Sequence, residues 1–286
     1  MSAHTTDATY RYRMLAELRI GPIWVRREVT TARIAGAGTS LHGSLVASET
    51  VLPKSVPLPA PLAAGSAWDA PPVDTVPMLS SAPGDSDAMI AAMDWPSLQA
   101  AVASCTRCSL CEQRTRTVFG SGDHNAHWLF VGEGPGQNED QQGEPFVGQA
   151  GKLLDNLLAA IALKRTENTF IANVVKCRPV DADGRDRAPS TEEIAACRPY
   201  LDRQIALLKP ATIVALGKVA AMTLLGSEPK VPLAALRGSV HRLGGIPVVV
   251  TYHPAYLLRK PLDKAKSWRD LCLATEAYGN LGELAV

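Results

Sequence analysis

The chain has 286 residues, 46% of them hydrophobic, with 29 basic against 28 acidic side chains and a formal net charge of +1. That length buries a substantial core, as one large domain or one domain with extensions, and the near-neutral charge excludes a histone-like polycation while leaving room for a local basic cleft. No apolar run reaches the length of a membrane span, and MSAHTTDATYRYR lacks the charged start and apolar stretch of a secretory signal, so a cytoplasmic protein without membrane contact is expected.

In chain order, RYRMLAELRIGPIWVRREVT (11–30) mixes Met14, Leu15, Leu18, Ile20, Ile23, Trp24 and Val25 with five arginines, and Gly21-Pro22 interrupts any helix. Residues 1–38 form a short folded or docking segment on this pattern. Residues 39–94 turn to Ala, Ser, Pro and Gly without a sustained period, which predicts a disordered linker. From residue 95 to 286 strand-like and helix-like segments alternate, the pattern of a mostly parallel sheet covered by helices, an α/β fold. DWPSLQAAVASC is a helix that delivers Cys105. WLFVGE, TFIANVV, TIVALG and PVVVTY are the strands. KLLDNLLAAIAL puts Leu153, Leu154, Leu157, Leu158 and Ile161 on one helical face, and STEEIAACRPYLDRQIALL opens on a capping box, Ser190 to Glu193, with Pro199 bending the helix early. A last helix covers roughly 263–278. Glu133, Asn173 and His253 fall at carboxyl ends of strands, where open parallel sheets collect their functional groups.

Six cysteines with short spacings in a reducing compartment point to metal or redox chemistry rather than disulfides. Cys105 and Cys108 form a C-x2-C pair; Cys177 closes the TFIANVVKC strand and Cys197 lies in the next helix, so two remote segments complete a four-thiolate site. Zinc and iron-sulfur centres both accept four cysteines, and the spacing does not choose between them. Cys111 extends the run and competes as a ligand, whereas Cys272 sits in an apolar helix. The glycine-rich GEGPGQNED (132–140) follows a strand and lets backbone approach a phosphate or a planar ligand, but it is neither a dinucleotide fingerprint nor a nucleotide-triphosphate loop. GEPFVGQAG (143–151) tethers Phe146 between glycines, as a packing plug or a stacking platform.

The ordered series C-x2-C, GE-x-PG-x-x-ED, GEPFVG-x-AG, N-x2-KC, a second helix cysteine and HPAYLLR closely resembles the family 4 (iron-sulfur) uracil-DNA glycosylases, from about Cys105 to Leu271. The resemblance implies a three-layer αβα fold with an iron-sulfur cluster. It implies a 4Fe-4S cluster on Cys105, Cys108, Cys177 and Cys197, with Cys111 outside the ligand set. It also implies hydrolysis of the N-glycosidic bond of uracil flipped from DNA, leaving an abasic site for base excision repair, by a monomeric, nucleoid-associated enzyme. Phe146 would supply the stacking face, with Gly132 and Gly134 in the substrate loop. Asn173 carries a donor and an acceptor that match O4 and N3–H of uracil and mismatch cytosine. His253 suits a donor to O2 of the departing uracil anion, and Glu133 and Glu139 both qualify to orient water against the cationic sugar. Beyond His253, Leu257 is the main candidate for a duplex wedge and Arg259 an adjacent DNA contact; Arg237-Gly238-Ser239 and the 148–152 turn are candidate phosphate contacts. Some relatives cross-link to DNA through a histidine in a basic insertion before the last cluster ligand. Here no histidine lies between Cys177 and Cys197, and DADGRDRAP (181–189) has the pattern of a solvated loop, so turnover is expected. Segment 11–30 resembles the N-terminal peptide of the clamp-loader psi subunit, which implies a replisome tether with the linker supplying reach; the other use is an extra helix packed on the catalytic domain. A non-catalytic replisome adaptor on a glycosylase fold is the competing functional class, and a zinc-bound nucleic-acid module is a second.

Overall fold

The computed structural model describes residues 86–228 and 230–283; segment 11–30 and most of the expected linker lie outside them. Six strands form one sheet in the order β1-β3-β2-β4-β6-β5. β2 (Trp128–Gly132), β3 (Thr169–Asn173), β4 (Thr212–Leu216) and β6 (Ile246–Thr251) run parallel, and they are the four strands expected from sequence. Two antiparallel edges close the sheet: β1 (Ser121–Gly122) beside β3 and β5 (Val240–Leu243) beside β6. Neither edge has the apolar run that marks the central strands, which is why sequence alone passes over them.

The parallel strands are buried on both faces, as helix-covered sheets require. Leu129, Val131, Phe170, Ala172, Ile213, Ala215, Val248 and Val250 point to one core, and Trp128, Phe130, Ile171, Val214, Leu216 and Val249 to the other. The first core is covered by α1 (Asp87–Ala92), α2 (Trp95–Ala103), α5 (Thr191–Leu208), α6 (Lys218–Leu225) and the short α7 (Leu233–Leu236). The second is covered by α4 (Gln149–Ala160), α8 (Pro254–Arg259) and α9 (Lys264–Glu283). This is the three-layer α/β/α arrangement. α3 (Gln137–Gln142) lies in the loop after β2.

One boundary moves. The disordered linker was expected to reach residue 94, but α1 forms at Asp87–Ala92, capped by Ser86, whose Oγ accepts the Met89 N–H, and Ile90 is fully buried against the first core. A helix this short with a single buried side chain has no readable period, and it is held by tertiary packing. α2 and α5 start where their caps predict: Asp94 accepts from Ser97 N–H, and Ser190 and Glu193 close the capping box. Pro199 lies within the continuous α5. Among the described residues, no helix is long and apolar enough to cross a membrane.

Candidate functional site

β2 is the branch point of the sheet: the chain leaves it for β3 on one side and later returns to β4 on the other. The carboxyl ends of strands around such a point form a natural crevice. One cavity there is lined by Glu133, Gly134, Pro135, Gly136, Glu139, Phe146, Ala150, Asn173, Asp186, His253, Ala255, Tyr256 and Arg259. Seven of the residues singled out in the sequence thus meet in one place although they come from four separate segments.

Gly132 and Asn173 pair across β2 and β3 at the end of the sheet. A Cβ on Gly132 would collide with Asn173 Oδ1 and lie 2.6 Å from Phe146 Cζ, so only glycine leaves room where the amide and the ring converge. Asn173 is 1% exposed, and its Oδ1 is a buried acceptor with no protein partner. An unpaired buried acceptor is costly, and one that opens onto a cavity is met by a ligand donor. Phe146 holds φ +56°, a left-handed conformation that costs a non-glycine residue roughly 1–2 kcal/mol. Its ring lies 5.5 Å from that of His253.

His253 follows β6 and caps α8; its Nδ1 accepts the Ala255 N–H at 3.2 Å, which leaves the ring proton on Nε2. Burial lowers its pKa to about 4, with the Arg259 cation adding to the shift and Glu139 opposing it, so the ring is a neutral N–H donor near pH 7. The two glutamates separate clearly. Glu139 Oε2 accepts from Gly136 N–H at 3.2 Å, and its Oε1 accepts from Val147 and Gly148 N–H at 2.9 and 3.1 Å. Both of its oxygens are committed to holding the two halves of the loop together. Glu133 makes no such bonds, and burial raises its pKa above the ordinary carboxylate value. Asp140, next to Glu139, is buried and accepts from Thr115 and Arg116 N–H, which ties α3 to the segment after Cys111.

The DNA candidates need correction. Leu257, the expected wedge, is fully buried in the second core, and a side chain inside the protein has no access to a base stack; its neighbour Leu258 is 43% exposed. Arg237 is also not a free phosphate contact: it pairs with buried Asp270 at 2.7 Å and stacks on Tyr252 at 4.0 Å. Leu257 was misassigned because a short motif does not reveal the inward face of a six-residue helix, and Arg237, which follows α7, because its partner lies 33 residues away. Arg259 remains exposed at the cavity rim. The loop 181–189 is solvated as expected, with 182–186 exposed, and it is also tied down: Arg178 bonds Asp186 at 2.6 Å, Arg187 bonds Glu193, and Asp186 lines the cavity. Asp186 and Tyr256, whose hydroxyl donates to Asp263 at 2.7 Å, line the cavity as well; Tyr256 lies within the HPAYLLR motif, but the sequence gives neither residue a role.

The cysteines gather at a second cavity, on the first-core side. Cys105, Cys108, Cys111, Cys177 and Cys197 all line it, while Cys272 stands apart. Cys177 and Cys197 are buried. Arg114 Nη1 donates to Cys105 O at 2.7 Å and to Cys177 Sγ at 3.3 Å, and Lys176 N–H donates to Cys197 Sγ at 3.3 Å. Burial raises the thiol pKa of Cys108 and Cys177, and pushes that of Cys197 up to about 12. Donors aimed at two of these sulfurs fit a site of thiolates that a bound metal would stabilise. Among the described residues, no three His, Cys, Asp or Glu side chains converge closely enough to share a single ion. Fully buried Lys176 joins the two sites: its Nζ donates to Asn173 O at 2.8 Å and to Gln204 Oε1 at 2.6 Å.

Fold and site define a class: an α/β protein with a cavity at the carboxyl ends of its strands, lined by an aromatic ring, a buried amide, a histidine and two glutamates. The profile of the Uracil DNA glycosylase superfamily matches residues 119–274. The type-4 uracil-DNA glycosylase of Pyrobaculum aerophilum is 40% identical over 188 residues, covering 63% of this chain and 93% of that protein. That of Thermotoga maritima is 42% identical over 179 residues, with 58% and 90% covered, and that of Archaeoglobus fulgidus 40% identical over 166 residues, with 56% and 81% covered. The chain belongs to the type-4 uracil-DNA glycosylase family of that superfamily.

Proposed function

We propose that the protein takes uracil flipped from DNA into the Phe146–Asn173–His253 cavity and hydrolyses its N-glycosidic bond, leaving an abasic site for base excision repair. The observation that carries this reading is the buried, unpartnered Oδ1 of Asn173 beside an aromatic face. Uracil N3–H satisfies that acceptor while the amide N–H₂ donates to O4; cytosine offers an acceptor at N3 and a donor at C4, so both bonds are lost. Phe146 stacks on the ring. As the bond to the sugar stretches, negative charge grows on uracil O2, and the neutral His253 donates Nε2–H to it. Positive charge grows on the sugar, and Glu133, the carboxylate free of other bonds, faces it and orients the attacking water. Glu139 is reassigned from catalysis to holding the loop. Leu258 takes the wedge role from Leu257, and Arg259 contacts the strand at the rim. Alkali cleavage of a uracil-containing oligonucleotide tests the reading: a break at uracil supports it, and intact strands with excess protein refute it.

The thiol cavity and the family membership support a 4Fe-4S cluster on Cys105, Cys108, Cys177 and Cys197. When bound, the cluster supplies a cross-link among the segment after α2, the end of β3 and α5, not bond-breaking chemistry. Absorbance near 400 nm with iron analysis distinguishes it from colourless zinc thiolate. Segment 11–30 is a replisome tether in this reading, directed at the clamp loader; a pull-down with that peptide that recovers no clamp-loader subunit removes the idea. The enzyme acts as a cytoplasmic, nucleoid-associated monomer.

A further inference from the structure

We infer that Arg165 is a positioning residue of the uracil site, the clamp that holds Phe146 in its left-handed turn with the ring facing the cavity. The inference rests on the stacking role proposed for Phe146. Arg165 lies in the connection between α4 and β3, outside every motif of the sequence. Its Nη1 donates to Pro145 O at 2.8 Å and its Nη2 to Phe146 O at 2.9 Å. Asp155 of α4 orients the guanidinium, accepting from Nε and Nη2 at 3.0 and 2.8 Å.

The turn needs holding from both sides. Phe146 has φ +56° without being glycine, so the chain left to itself relaxes to another conformation and carries the ring away. Glu139 secures the N–H side through Val147 and Gly148. Arg165 secures the C=O side, the half that Glu139 does not reach. Gly151 completes the seat, because a Cβ there would overlap the Phe146 carbonyl. A planar fork reaches two carbonyls and a carboxylate at once; the compact ammonium of lysine does not. The Arg165 side chain is 23% exposed and engaged in four hydrogen bonds, which argues for a clamp over a contact to DNA phosphate.

The test uses the full-length, cluster-loaded protein and four variants: Arg165→Gln, Arg165→Lys, Phe146→Ala, and Phe146→Ala combined with Arg165→Gln. Single-turnover rates on a uracil oligonucleotide, inhibition by free uracil, affinity for a uracil-free duplex and absorbance near 400 nm are measured for each. A displaced stacking face should slow Arg165→Gln and Arg165→Lys by about 10- to 100-fold and weaken inhibition by free uracil, the scale of a small misplacement at a reacting centre. Affinity for the uracil-free duplex and the cluster absorbance should not change, and the double variant should be no slower than Phe146→Ala alone. The clamp is overturned if Arg165→Gln keeps the parent rate while Phe146→Ala is slow, if the two losses multiply, or if the loss appears in affinity for the uracil-free duplex. A Phe146→Ala variant with the parent rate overturns the stacking reading itself and, with it, the clamp. Should Arg165→Gln fail to fold, Asp155→Asn loosens the same guanidinium and must show the same pattern at smaller size.

Discussion

Glu133 and Glu139 stand six positions apart in one glycine-rich loop and look interchangeable in sequence; their hydrogen bonds make them different residues. Glu139 is a structural carboxylate with both oxygens occupied, whereas Glu133 is free and poised by burial. Glu133→Gln should therefore lower the single-turnover rate by roughly 100-fold or more with the melting temperature little changed, the size expected when a positioned acid-base group is removed. Glu139→Gln should lower thermal stability along with rate. A pH–rate profile adds a second check: activity should fall as pH drops through a Glu133 pKa above the ordinary carboxylate value, and Glu133→Gln should lose that limb. His253 gives a stability signature instead. Its pKa drops from 6.5 to about 4 on folding, so between those values the unfolded chain binds the extra proton. Stability from this group is complete above pH 6.5 and declines as pH falls toward 4. Denaturant melts of the parent and His253→Gln across that window should converge as the pH is lowered.

At the scale of elements, the two adjacent leucines of α8 separate a packing role from the DNA contact proposed for Leu258. Leu257→Ala removes a fully buried side chain and should cost about 2–5 kcal/mol of stability. Leu258→Ala should leave stability nearly unchanged and slow uracil release from duplex more than from single-stranded substrate, measured side by side. The cluster elements make a similar contrast: Cys177→Ser should abolish absorbance near 400 nm, while Cys111→Ser should retain it although Cys111 lines the same cavity. Much of this level was legible in sequence. The apolar runs of the four parallel strands, the Ser190–Glu193 box and the Leu153–Leu158 face all carry periods that local physics reads directly. What escaped were features decided by tertiary contact: α1, fixed by one buried isoleucine; the edge strands, too short and polar to signal; the inward turn of Leu257; and Arg237, whose partner Asp270 lies 33 residues away. Arg114 and Arg165 belong to the same group, because a side chain that bonds a distant carbonyl or sulfur leaves no local pattern.

Across the whole molecule, the described residues contain both the base cavity and the thiol cavity, with Lys176 and Asp140 bonding the segments between them. The cysteines read in sequence as an unspecified four-thiolate centre; the cavity they line, next to the segment that follows Asn173, fits the proposed cluster as a brace for that strand. A chain lacking residues 1–85 should accordingly keep its cluster and its single-turnover rate, whatever the N-terminal segment binds. The most direct test of the account is that rate itself, measured on a single-uracil oligonucleotide with the full-length, cluster-loaded protein in excess and read after alkali. The account predicts strand breaks at uracil alone, with thymine and cytosine controls intact. Absence of cleavage by protein with its cluster absorbance intact would contradict it.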